Sequence, residues 1–423
     1  MRRHFWLLIL VVFIGFSLFF SGCITPVVGG EHEIPKPDED ILEAFDQGLA
    51  TSTNIFGIKI FNKLLEEEEN LFISPTSIAT ALSMTYNGAR GETREAIAKV
   101  LEVEGVDPER LNENNQALLY LLQEADPSVK LAIANSLWMR EGVEFDPDFV
   151  ERNEIYYNAS IKELDFNTPE AVEAINSWVY DRTEGLIEDI VEHPIDPNTI
   201  LFLINAIYFQ GDWSTPFEEE DTRDDTFFLP EGDLATVPFM HRRGEFDYYE
   251  EEGFQAVRLP YGEEERLAMY VFLPSVESGL QEFVQGFDME HWQKWRKGFQ
   301  PEEGALYLPR FSMDYEKSLR DVLKELGMEE SFDANKADFF DMVSWEGEPR
   351  LFISEVKHKS YIDVDEKGTE AAAVTSVEIE TESAPAFVFE MQVNRPFFFL
   401  IHDQGSEAIL FMGAVYNPAE ERS

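Results

Sequence analysis

The sequence predicts a mixed α+β fold with large sheets, and three observations carry that reading. Helical patterns dominate the early part of the chain, strand patterns dominate after Trp213, and strands are scattered throughout. From about Ile41 to the C-terminus no composition break, linker or internal repeat appears, so residues 41–423 read as one large domain. Hydrophobic residues make up 44% of the chain and aromatic residues 13%, ample for a core and unlike a disordered protein.

The chain opens with Arg2 and Arg3 before an apolar run from Phe5 to Phe20, then Ser21-Gly22-Cys23. Residues 1–22 read as a signal peptide and are set aside from the fold. Small residues before a cysteine resemble a prokaryotic lipoprotein cleavage box, with Cys23 as the lipidated residue. The alternative is an uncleaved membrane anchor, for which the run is rather short. Either way the body is expected outside the cell, lipid-anchored at the surface or secreted. Cys23 is the sole cysteine, so no intrachain disulfide and no thiol chemistry are expected in the domain. Residues 23–40, rich in Pro, Gly and acids, read as a tether.

In the domain, Ala44 to Leu65 reads as a helix. Asn70 to Ser77 then leads into a strongly apolar helix, Ile78 to Tyr86, with Ser74 as cap and Pro75 at the first helical position. Gly91 to Leu101 reads as a third helix, Leu131 to Met139 as a buried strand, and Pro169 to Thr183 as a helix ending near Gly185. Ile200 to Gln210 is continuously apolar and suits the middle of a sheet. Short strands follow at Phe246–Tyr249, Ala256–Leu259, Leu267–Leu273 and Ala305–Phe311, then a helix at Ser318–Glu325. Ser360 to Asp365 and Phe387 to Val393 read as buried strands, the latter leading into Asn394–Ile401.

The formal charge is −50, which argues against nucleic acid as a partner because a phosphate-binding surface needs a basic patch. Self-repulsion at that charge destabilises a compact state in dilute buffer, and salt screens it, so a salt-rich habitat is a reading of the composition. No nucleophile elbow, phosphate loop or zinc helix occurs, and the seven histidines are scattered. His358 reads as a satisfied structural histidine beside an apolar strand. Asn158-Ala-Ser160 matches a glycosylation triplet, a pattern common by chance. The chain reads as a non-enzyme with no cofactor and no metal.

One stretch stands apart. Glu366 to Ser383 joins two buried strands, and a connection so long inside a domain is usually functional or disordered. Alternate residues Thr369, Ala371, Ala373, Thr375, Val377 and Ile379 are small or apolar, whereas Glu370, Ala372, Val374, Ser376, Glu378 and Glu380 are largely polar. That is the period of a strand with one buried face. Gly368 before it and Ser383, Ala384 and Pro385 after it read as loop, and Thr-Glu-Ala-Ala-Ala is also good helix sequence.

Several ordered motifs resemble the serpin family. Glu366-Lys-Gly-Thr-Glu-Ala-Ala-Ala373 resembles the hinge of the serpin reactive-centre loop. Asn394 to Ile401 and Phe411 to Pro418 resemble the C-terminal signature. Asn70 to Ala79 is similar to the start of the family's second helix, and Asn205 to Trp213 to the central strand and its following tryptophan. The resemblance covers about Ala44 to Pro418. It implies the serpin fold, with three β-sheets, about nine helices and an exposed reactive-centre loop. It also implies a suicide inhibitor of a serine protease, in which the cleaved loop inserts into the main sheet and traps the acyl-enzyme. The resemblance puts the cleaved bond seventeen residues along, counting Glu366 as the first, which gives Glu382 and Ser383, with Thr381 and then Glu380 as alternatives. Glu382 implies a target with a Glu-accepting pocket. The hinge carries over as Gly368, Thr369, Glu370, Ala371, Ala372, Ala373 and Val374. Trp213, Arg310 and Glu366 match the breach where the loop first enters, and Ser74, Ser77, Asn205 and His358 match the shutter under the parting sheet. Small residues at Thr369, Ala371 and Ala373 favour an inhibitor over the runner-up, a non-inhibitory carrier. A monomer is expected.

Overall fold

In a computed structural model of the chain, residues 34–65, 68–344, 351–369 and 387–419 are described. They lie in one compact unit, Glu33–Ser423. Ten α-helical segments and fifteen strands occur among them.

The helix Pro75–Tyr86 shows how sequence sets position. Ser74 Oγ accepts the Ser77 N–H at 3.2 Å, and Pro75 occupies the first turn, where a missing N–H costs nothing. Every residue of this helix is buried, because it packs against strands of both sheets. It therefore has no polar face to show water.

Six strands form the sheet on which the site is built. Their order is Phe311–Ser318, Glu355–Val364, Gly368–Thr369, Leu201–Asp212, Val129–Arg140 and Ser160–Leu164. Glu355–Val364 and Leu201–Asp212 pair directly and in parallel, from Glu355 opposite Phe202 to Tyr361 opposite Tyr208. Beyond that point they diverge. Gly368–Thr369 fills the gap, with Thr369 opposite Gly211 on one side and Val364 on the other, antiparallel to both. One face of the central strand packs on the body through Leu201, Leu203, Ile207 and Phe209. The other face, through Phe202, Ile204 and Ala206, packs with Ile175 and Val179 of the helix Pro169–Arg182.

The remaining nine strands are hydrogen-bonded into a second network. Its longest strand, Leu234–Glu251, pairs first with Arg223–Phe228 and Gln300–Pro309, then with Phe254–Pro260. The three sheets implied by the resemblance thus appear as two networks, because this strand runs unbroken from one sheet into the next.

Several element boundaries differ from the sequence reading. The helix expected from Ala44 to Leu65 runs from Gln47 to Leu64 after a separate short helix, Glu39–Glu43, and Asp46 caps it by accepting the Gly48 N–H at 2.8 Å. The expected tether therefore ends in helix, and Ile34 N–H donates to Gln123 Oε1 at 2.7 Å. Ala305–Phe311 divides at Arg310 into two strands that belong to different sheets. Helices Pro108–Gln123 and Pro147–Tyr157 escaped the periodicity reading although both begin with an Asp cap followed by Pro.

Candidate functional site: the slot between the central strands

At its open end the slot is a tightly bonded junction. Trp213 N–H donates to Lys367 O at 2.7 Å, Phe217 N–H to Glu366 O at 2.7 Å, and Asp365 N–H to Gly368 O at 2.9 Å. The Trp213 indole donates to Asp365 O at 3.0 Å. The Asp365 carboxylate accepts the N–H groups of Lys367 and Gly368, closing the turn. Glu366 is buried at 4% exposure. Its carboxylate accepts Thr222 Oγ1–H at 2.6 Å and faces Arg310 at 3.5 Å. Gly368 is the only residue type the junction admits, since a Cβ there would lie 2.1 Å from the Gly211 carbonyl oxygen. Thr369 is fully buried, and its hydroxyl meets the Tyr261 hydroxyl at 2.9 Å. Burial raises the pKa of Asp212, and Asp365 adds to the effect.

Midway down, where the strands are closed, a polar row crosses the sheet. His358 is opposite Asn205, and Asn205 is opposite Asn135. His358 Nε2 accepts the Ser74 N–H at 3.3 Å, so Nδ1 carries the proton and donates to Asn205 Oδ1 at 2.6 Å. Asn205 Nδ2 donates to Asn135 Oδ1 at 2.7 Å, and to Ser77 O and Oγ. Ser74 Oγ donates onward to Leu410 O at 2.6 Å, tying the row to the second sheet. Burial drives the His358 pKa down to about 3, so the ring is neutral under ordinary conditions.

The structure thus brings Ser74, Ser77, Asn205 and His358 into one network, and Trp213, Arg310, Glu366, Gly368 and Thr369 to one end of the slot. Glu370, Ala371, Ala372, Ala373, Val374, Thr381, Glu382, Ser383 and Cys23 lie outside the described residues. Sequence reading missed Asn135, Thr222 and Tyr261. The signal for Asn135 was an amide in an otherwise apolar strand, Leu131-Ala-Ile-Ala-Asn-Ser-Leu-Trp-Met139. A buried polar group there needs a partner.

A sheet with its first loop residues already seated between its two central strands is a recognisable arrangement. The family model described as serpin (serine protease inhibitor) matches residues 51–418. An uncharacterised serpin-like protein of Thermococcus kodakarensis is 37% identical over 394 residues, covering 92% of this chain and 90% of its own. The leukocyte elastase inhibitor of Xenopus tropicalis is 32% identical, covering 88% of this chain and 100% of its own. The native-state crystal structure of tengpin, a thermophilic serpin, superposes with a TM-score of 0.81 at 32% identity, covering 88% of this chain and 95% of tengpin. The chain belongs to the serpin family. The family is one of serine protease inhibitors, which makes the chain a protease inhibitor in class and not an enzyme, with a protease as its partner.

Proposed function

We propose that this serpin works by the suicide route, with Glu382–Ser383 as the bait bond. The target's serine oxygen attacks the Glu382 carbonyl carbon, the peptide bond breaks, and the Ser383 amine leaves. The loop upstream of the cut then continues into the sheet while still esterified to the protease. Insertion drags the protease along and distorts its site before water cleaves the ester.

The observation that carries this reading is the register of Thr369, seated antiparallel between Gly211 and Val364. On insertion, continuing that register would set Ala371 opposite Phe209, Ala373 opposite Ile207 and Thr375 opposite Asn205, all on the body face. Small residues meet buried aromatic and aliphatic ones, and a hydroxyl meets the polar row. The same register sets Ala372, Val374 and Ser376 on the face covered by the helix Pro169–Arg182. The bonds between His358 and Asn205 can be exchanged for bonds to the newcomer, so parting the strands there leaves no buried polar group stranded.

The accompanying proposals are a lipid at Cys23, removal of residues 1–22, a monomeric body held outside the cell, and a target whose primary pocket accepts Glu. The test mixes the chain from residue 24 onward with a Glu-specific serine protease in high salt. A complex that survives denaturing electrophoresis, with the cut after Glu382 by mass spectrometry, is the expected result. Cleavage there with no trapped complex and no gain in thermal stability would favour the carrier.

A further inference from the structure

The slot has a wall that the motifs do not mark. Tyr261 is fully buried beside Thr369. Its ring stacks on Trp213 with centroids 4.4 Å apart and meets Phe209 edge-on at 5.0 Å. Its backbone bridges to Trp213. The turn that follows is fixed from below: Gly262 N–H donates to Asp212 O at 2.9 Å, and the Asp126 carboxylate accepts the Glu264 N–H at 2.9 Å and the Ser128 N–H at 2.8 Å. Gly262 has φ +70°, and a Cβ on it would lie 2.2 Å from Asp126 Oδ2. The phenol is therefore held rigidly, and its hydroxyl bonds to Thr369 Oγ1 at 2.9 Å.

We infer that Tyr261 is a positioning residue, whose hydroxyl holds the hinge docked in the slot before any protease arrives. When Thr369 leaves, its own hydroxyl finds water, but the Tyr261 hydroxyl stays in the core without its partner. The cost of that orphaned group biases the hinge toward the docked state. Backbone bonds secure Glu366, Lys367 and Gly368, strand pairing on both sides holds Thr369, and the Tyr261 hydroxyl adds a side-chain bond to it. On the suicide reading above, on which this consequence rests, insertion then starts beyond Thr369 and gains time against hydrolysis of the ester. The residue acts on the hinge and touches no reacting atom.

The test is hydrogen–deuterium exchange of the full chain, read at the Gly368 and Thr369 amides, in Tyr261→Phe, Thr369→Val and the double variant. Each single variant leaves one buried hydroxyl unpaired, and exchange should rise roughly three- to tenfold, the range of one net hydrogen bond. The double variant removes both hydroxyls and should rise by less than the product of the singles. Unchanged exchange in Tyr261→Phe, or a double variant equal to that product, would overturn the inference. Thr369→Val carries the test should Tyr261→Phe fail to fold. No protease enters this readout, so a chain that traps no protease still tests the latch. If it does trap, Tyr261→Phe should consume more inhibitor per protease captured while initial attack proceeds at the same rate.

Discussion

The two ends of one strand pair are held in opposite ways. Above Tyr208 and Tyr361 the central strands are apart, and the two-residue strand Gly368–Thr369 joins them through backbone pairing, with one hydroxyl bond from Thr369 to Tyr261, which follows the strand Phe254–Pro260 of the second network. Below, the strands pair directly, and the row His358–Asn205–Asn135 bonds them to the helix beneath. The upper end is already what an inserted sheet looks like. The lower end is a closed sheet. The difference teaches that the gap is held open by shape, with Gly368 fitting against Gly211, whereas the closure is held by polar groups that a new strand can replace. On the proposed insertion, a wholly apolar closure would pack well but would offer an added strand's polar groups nothing to bond.

The sharpest way to break the upper end is Gly368→Val. Its side chain would start 2.1 Å from a backbone oxygen, which cannot move without disturbing the central strand. The hinge should be expelled and trapping should fall by more than an order of magnitude, read as the number of inhibitor molecules needed per protease silenced. Retained trapping would mean the docked hinge is not needed.

A smaller effect comes from two buried histidines, His358 in the lower row and His402 in the strand Phe397–Asp403 of the second network. Burial pushes both His358 and His402 down to about 3. Each binds a proton near pH 6.5 once unfolded. The unfolded state therefore gains protons first, and stability falls as pH drops from about 6.5 toward 3. Above pH 6.5 this contribution is fully present. Chemical denaturation across that window should show the loss, and His402→Phe should reduce its slope by about one proton. A slope unchanged in that variant would contradict the assignment.

The smallest effect is expected at the rim. Arg310 faces Glu366 at 3.5 Å, but its side chain is 45% exposed. Solvent screens such a pair, and Glu366 keeps its bond from Thr222, so Arg310→Ala should cost about 1 kcal/mol or less in denaturation midpoint experiments. A larger loss would move the junction's weight from shape to charge.

How far the site could be read from sequence follows from the range of the interactions. The cap at Ser74 and Pro75 is local, so sequence sufficed. His358 and Asn205 stand out as polar residues in apolar strands, yet their bond spans 153 positions and depends on a parallel register that no local pattern encodes. Asn135 joins them through a third strand. Tyr261 looked like one more aromatic after a strand, because its role depends on a turn built by Asp126, distant in sequence. Glu366 could be matched to Arg310, but Thr222 as the closer partner required the fold. The strand at Ala305–Phe311 read as one because Phe311 extends the apolar run past Arg310, where the chain passes from one sheet to the other.

On the proposed mechanism, the sheet formed by the described residues takes up one more strand from the loop and becomes more stable for it. The direct measurement is thermal unfolding of the intact chain against the chain nicked once between residues 370 and 386, both fragments retained. A clearly higher midpoint is expected for the nicked form. An equal or lower midpoint would contradict the mechanism.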